Sequence, residues 1–225
     1  MITHKSLLYE EKVPVFHKFI RQAMVANAVS VIGVEAGNKE TRPIFDKLLG
    51  EGLWGLDKPY GQGGPSTCSM VALGLLRRLM VDSDAVLGKY QIGSGLNVAR
   101  NYAKTCDAWI KPKGDMVPHP GDVIDLKSAK GAKDQSNHTE VVLGFHGNML
   151  CCVAGGQVAR DGLQAIKLVR RVWEVKGSTC YAGAREVDGW IDLTGLRFRE
   201  DQKMTVPEWW NEVDFDHVLV EVLGL

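Results

Sequence analysis

A cysteine placed where a helix begins carries the clearest chemical meaning in this sequence. Gln62-Gly63-Gly64-Pro65-Ser66-Thr67-Cys68 is a Gly/Pro-rich stretch that runs into Ser69-Met70-Val71-Ala72-Leu73, with no helix breaker before Gly74. Ser66 or Thr67 can serve as N-cap, its side-chain oxygen accepting a first-turn backbone N–H. Cys68 then falls in the first turn, where the helix end carries roughly half a positive charge and favours an anion over a neutral thiol. Thiolates in such places have pKa values of roughly 3.5–7.5 when a cationic partner helps. The chemistry implied is nucleophilic attack, provided that a base stands within reach. Most cysteines are small core residues, so the base decides between the two roles. His138 is the best partner: it opens an expected strand directly after a polar loop, so its ring can reach a cleft at a sheet end.

The elements that must bring this pair together follow from periodicity and breakers. Val15 to Val34 fits a mainly apolar helix through Phe16, Phe19, Ile20, Ala23, Met24, Ala28, Val31 and Ile32, stopped by Gly37-Asn38. Residues 41–50 form a short helix with Pro43 in its first turn. Gly52 to Gly64 is turn-rich, with Trp54 and Tyr60 available to wall a cleft. The Cys68 helix runs to about Met80, with Val71, Leu75, Leu76 and Leu79 on its apolar face, and Leu96 to Ile110 is a further amphipathic helix. From Gly121 the pattern changes to strands: Asp122 to Leu126, His138 to Phe145, Met149 to Ala154, Ala165 to Val175 and Gly189 to Leu193. Lys127 to Asn137 is a polar loop, and His146-Gly147-Asn148 is a tight turn. Pro207 to Glu212 can start a helix, and His217 to Leu223 is apolar and β-branched enough for a last strand. Helices first and antiparallel strands second predict an α+β fold. A single domain over 1–225 is expected, its core at about 15–175, with 176–225 packed on it as an extension.

The composition excludes several classes. The chain has 225 residues, 45% hydrophobic, with 27 basic and 27 acidic side chains. That balance gives no argument for nucleic acid or membrane surfaces as partners. No run of about 18 apolar residues predicts a membrane span. The first residues carry charges where a signal peptide needs an apolar stretch, so synthesis in the cytoplasm is expected. The 5 cysteines, Cys68, Cys106, Cys151, Cys152 and Cys180, include no C-x-x-C pair. They make a poor disulfide framework and a poor zinc site; reduced thiols, no metal and no cofactor are expected. Cys151 and Cys152 are adjacent and must face opposite sides of a strand.

The order of these pieces is a helix-borne cysteine, Pro120-Gly121-Asp122 before a strand, a histidine opening a strand, a hairpin, and a polar residue on or just after the next strand. This order resembles the CHAP amidases (cysteine/histidine-dependent amidohydrolase-peptidases) and the related NlpC-like peptidoglycan hydrolases. The resemblance is carried by Cys68, Pro120-Gly-Asp-Val-Ile124, His138-Thr-Glu-Val-Val-Leu-Gly144 and Leu150-Cys-Cys-Val-Ala-Gly-Gly-Gln157, within about residues 25–175. It implies a papain-like fold, N-terminal helices packed on a central antiparallel sheet, and hydrolysis of an amide bond in peptidoglycan stem or cross-bridge peptides. It also implies Cys68 as nucleophile, His138 as general base and later acid, and Gln157 as the third member that orients the imidazole. In papain-like proteases a glutamine shortly before the nucleophile donates to the oxyanion, which singles out Gln62, with Tyr60 as the other candidate donor. The chain departs from the pattern in two places. Ala154 and Gly155 stand where relatives often carry an acidic residue, and Thr67 replaces a frequent aromatic. His146 or Asn148, in the hairpin turn, are the next candidates for the third member after Gln157.

Three readings follow from the resemblance. The first is a cysteine amidase or endopeptidase that acts in the periplasm or cell wall. Without a signal peptide it must travel by another route, as phage endolysins released by holins and toxins delivered by contact-dependent secretion do. A secreted toxin implies a cognate immunity protein as partner. The second is a catalytically inactive cell-wall or protein-binding module of the same fold, which the missing acidic third residue favours. The third is a transglutaminase-like or deamidating enzyme acting on proteins. His119 between two prolines, the loop lysines Lys127, Lys130 and Lys133, and Trp209-Trp210 are most simply loop, solvated and packing residues.

Overall fold

Short runs after residue 108 pair, among the described residues, into a sheet of 7 strands in which the strand at one end also bonds the next-to-last strand at the other. The computed structural model describes residues 15–49, 67–79, 97–127 and 137–196. The helices there are α1 (Val15–Val29), α2 (Arg42–Leu49), α3 (Cys68–Arg78) and α4 (Asn97–Thr105). The strands are β1 (Trp109–Ile110), β2 (Val123–Leu126), β3 (His138–His146), β4 (Met149–Val158), β5 (Gln164–Lys176), β6 (Thr179–Ala182) and β7 (Arg185–Ile191). The expected last helix and strand, at 207–212 and 217–223, lie outside the described residues.

Closure comes from two strands that change partner along their length. β5 pairs with β4 as far as Val172, then with β6 from Trp173 to Lys176. β7 pairs with β6 at Arg185 and Glu186, then with β2 from Val187 to Ile191. Register shifts in the β2–β7, β3–β4 and β4–β5 pairs mark bulges, which add the local twist that a closing sheet needs. The expected α+β, papain-like arrangement of helices packed on a central antiparallel sheet is therefore corrected. The sheet is mostly antiparallel and closes into a 6-stranded barrel, and the helices among the described residues are few and short. β6 was not anticipated, because a four-residue strand between turns is too short to show a period, yet it is the piece that joins β5 to β7 and removes two sheet edges. Two helices are also shorter than expected. α1 stops at Val29 rather than near Val34, and α4 stops at Thr105, after which Asp107 takes a φ of 57° and the chain turns into β1.

Two apolar layers result. Ile124, Leu126, Val142, Cys152, Trp173 and Trp190, from five of the strands, fill the barrel interior, with Phe145 edge-on to Trp173 at 5.6 Å. The outer face carries Val141, Leu143, Cys151 and Val153, buried with Ile20 and Met24 of α1 and Leu73, Leu75 and Leu76 of α3. Cys151 and Cys152 thus part to opposite faces, as alternation requires. A buried ion cluster fastens the layers. Arg21 of α1 bonds the Pro120 carbonyl at 2.9 Å, the Asp122 carboxylate, and Asp192 at 2.6 Å. Asp122 also accepts the backbone N–H of His119 and of Leu193. The Pro120-Gly121-Asp122 stretch therefore ties α1 to the start of β2 and the end of β7. Among the described residues, no helix is long and apolar enough to cross a membrane.

Helix α3 lies against α2 at Gly74, where an added Cβ would collide with the Leu48 carbonyl oxygen and sit 3.0 Å from the Leu48 side chain. Alanine is the better helix former by about 1 kcal/mol, but overpacking against backbone costs about 1–3 kcal/mol. Gly74→Ala is therefore expected to lower the melting temperature, which thermal denaturation followed by circular dichroism would read.

Candidate active site

The histidine owes its place to the alternation of β3. His138, Glu140 and Val142 share one face of the strand, and Val142 belongs to the barrel interior. His138, the first residue of β3, therefore points inward at the barrel rim, with Glu140 one step deeper. Glu140 is 1% exposed. It is held by Arg171 of β5, whose Nε donates to the two carboxylate oxygens at 2.9 and 3.1 Å and whose Nη2 adds a third bond. Arg171 can reach it because Val169 and Trp173, two positions either way on β5, also face the interior.

The cysteine arrives from the other layer. β4 bulges between Ala154 and Gln157, where Gly156 takes a φ of 66° that only glycine adopts freely. The pair Gly155-Gly156, beyond the expected strand end at Ala154, is part of this strand. It leaves no side chain in the way of α3: a Cβ on Gly155 would lie 2.5 Å from Val71 and 2.7 Å from the Thr67 carbonyl oxygen. The N-terminus of α3 therefore rests on the strand and brings Cys68 to the rim.

There the side chains of Cys68 and His138 are hydrogen-bonded to each other. His138 Nε2 lies 3.2 Å from Glu140 Oε1 and 3.3 Å from Gln157 Nε2. Gln157 Nε2 also donates to the Gly155 carbonyl at 3.4 Å. Cys68 and His138 are 4% and 8% exposed, so the pair is largely screened from water.

The electrostatics follow from this geometry. Burial opposes the charged form of His138, but the hydrogen bonds to Cys68 and Glu140 outweigh it and push the imidazole up to about 9. Burial likewise opposes the Glu140 carboxylate, yet His138 and Arg171 hold it below the usual carboxylate range. Three other thiols are raised from their ordinary value. Burial, then the adjacent Glu140 charge, pushes Cys152 well up, and burial also raises Cys151 and Cys180. Such thiols are poor nucleophiles at neutral pH.

Cys68, His138 and Gln157 were singled out in the sequence, and the fold brings all three together. Gln62 and Tyr60 lie outside the described residues. His146 is the last of the 9 residues of β3, each rising about 3.3 Å, and Asn148 is in the turn beyond it, so neither reaches His138. His119 is an exposed loop residue. Glu140 was missed. Its one local sign is a carboxylate two positions after the histidine in an otherwise apolar strand, which places it on the same face. Among the described residues, no group of three or more His, Cys, Asp or Glu side chains is placed to hold a metal ion. No family model, curated protein or solved structure matches the chain.

The raised imidazole predicts a pH window for stability. Its folded value of about 9 exceeds its ordinary 6.5, so its contribution is complete below about 6.5 and is lost as pH rises through about 9. The melting temperature is expected to fall across that window, and less steeply in His138→Gln. A series of melts in matched buffers would show it.

Proposed function

We propose that the chain is a cysteine-dependent hydrolase of amide bonds whose substrates are peptides of peptidoglycan. The observation that carries the reading is the hydrogen-bonded pair of Cys68 and His138 with the buried Glu140 carboxylate behind the ring. A thiolate beside an imidazolium is the activated form of a cysteine nucleophile. The sulfur attacks the amide carbonyl carbon, and the oxyanion that forms faces the first-turn N–H groups of α3, which have no acceptor within the helix. His138 then gives its proton to the leaving amine, the C–N bond breaks, and a thioester remains. Water attacks the thioester with His138 as base, releasing the carboxylic acid and the thiol. Glu140 holds the ring and offsets its charge at each stage.

The substrate class comes from the resemblance carried by Cys68, Pro120-Gly121-Asp122 and the strand His138 to Gly144. A chain of this kind acts in the periplasm or cell wall, as a phage lysin or as a delivered toxin with an immunity protein. Glu140 supplies the acidic partner whose apparent lack favoured an inactive module. Purified peptidoglycan incubated with the protein is expected to release fragments with new amine and carboxyl ends, identified by mass spectrometry. Intact peptidoglycan together with ammonia release from protein glutamines would move the substrate to proteins; no turnover of either would remove the hydrolase reading.

A further inference from the structure

The residue before the cysteine behaves unlike a helix cap. Thr67 stands at the N-cap of α3 but makes no side-chain capping bond, although threonine there ordinarily accepts a first-turn N–H. Its hydroxyl turns instead to β4 and accepts the Gly156 N–H at 2.7 Å. Its own N–H donates to Gln164 Oε1 of β5 at 3.1 Å. Its carbonyl accepts the Val71 N–H at 2.9 Å, the first helical bond. Thr67 is fully buried and Gln164 is 2% exposed. The peptide unit leading into Cys68 is thus tied to two neighbouring strands and to its own helix.

We propose that Thr67 and Gln164 are positioning residues: they seat the first turn of α3 on the Gly155–Gly156 bulge so that the Cys68 sulfur faces His138. The proposal rests on the reading of Cys68 as the nucleophile. It accounts for two features together. The bulge has glycine where a Cβ on Gly155 would strike Val71 and Thr67, and a buried carboxamide accepts the backbone N–H of the residue before the nucleophile. Both groups bond backbone where α3 meets the sheet, so they act through the placement of the helix end. An ordinary packing role would need neither the diverted hydroxyl nor an oxygen at position 164.

The test is the rate at which iodoacetamide alkylates Cys68 in the full chain, read by mass spectrometry at about pH 6 and about pH 8.5, the latter near the ordinary thiol pKa. Thermal melts of the same samples report folding. The wild-type chain is expected to keep most of its rate at the lower pH. Thr67→Val preserves shape but removes the acceptor, and Gln164→Leu removes the other anchor. Each is expected to lose about tenfold of the rate at the lower pH with little change at the higher, since one unit of thiol pKa changes the thiolate fraction about tenfold. Thr67→Ser and Gln164→Glu keep the oxygens and are expected to restore the ratio. A lower melting temperature with an unchanged ratio in both Thr67→Val and Gln164→Leu would overturn the positioning role alone. A wild-type Cys68 that reacts at the lower pH no faster than an ordinary thiol would overturn the nucleophile reading and this proposal with it. Where Thr67→Val does not fold, the ratio in Gln164→Leu decides.

Discussion

Cys68→Ala is expected to lower amide hydrolysis by about 10⁴-fold or more while the protein still folds. Loss of a covalent nucleophile removes the thioester route entirely, and what survives is substrate binding and oxyanion stabilisation. The fold has little to lose. Cys68 belongs to a helix whose other inward residues, among them Val71, Leu75 and Leu76, stay in the core. Removing one buried sulfur costs roughly 1 kcal/mol by comparison with other small core truncations, or a melting shift of about 2–4 °C in a chain of this size. Hydrolysis and melting should therefore separate: a nearly unchanged melt beside an absent product peak. Cys68→Ser should resemble the alanine variant, because an alcohol beside His138 ionises far less readily than a thiol. Full turnover in Cys68→Ala would end the mechanism.

Glu140→Gln is the second large effect, with an expected loss of about 10²–10⁴-fold in kcat. The amide keeps the size of the carboxylate but not its charge. The imidazolium then loses a buried counter-charge, so the alkaline limb of the pH–rate profile should move down from about 9. Because thiol and imidazole titrate together, that limb belongs to the pair and not to the ring alone. The Arg171 guanidinium loses its ion-pair partner in the same substitution. Breaking a buried pair by removing one member costs up to about 3–5 kcal/mol, and the partial exposure of Arg171 lowers the figure. Gln157→Ala offers the contrast. Its carboxamide meets the same Nε2 at 3.3 Å but is neutral, so a loss within about tenfold is expected. A larger loss in Gln157→Ala than in Glu140→Gln would make Gln157 the third member after all.

Much of this site was legible before any coordinates. Cys68 at a helix start follows from a breaker-rich stretch running into an apolar run, and His138 at a strand start from a polar loop followed by Thr139 to Phe145. Such signals are local, set by caps, breakers and alternation within a few residues. Gln157 came from the resemblance and not from a register count, which the shifts between Val142 and Gly144 and between Ala154 and Gln157 would have upset. Thr67 shows the limit of local reasoning. Its position at the helix start was foreseen, but its hydroxyl bonds Gly156, with |i−j|=89, and not its own helix.

By itself, the amino-acid sequence determined where helices and most strands begin, which cysteine sits at a helix end, and that His138 and Glu140 lie on one face of β3. Only the tertiary structure decided that this face is the inside of a barrel, and so that Glu140 is a buried charge instead of a solvated one. That outcome depends on Arg171, with |i−j|=31 from Glu140, and on β6 joining β5 to β7. Burial of a carboxylate is tolerable only when a distant cation and a distant strand meet it. Those encounters are set by the free energy of closing the whole sheet, which no short stretch of sequence contains.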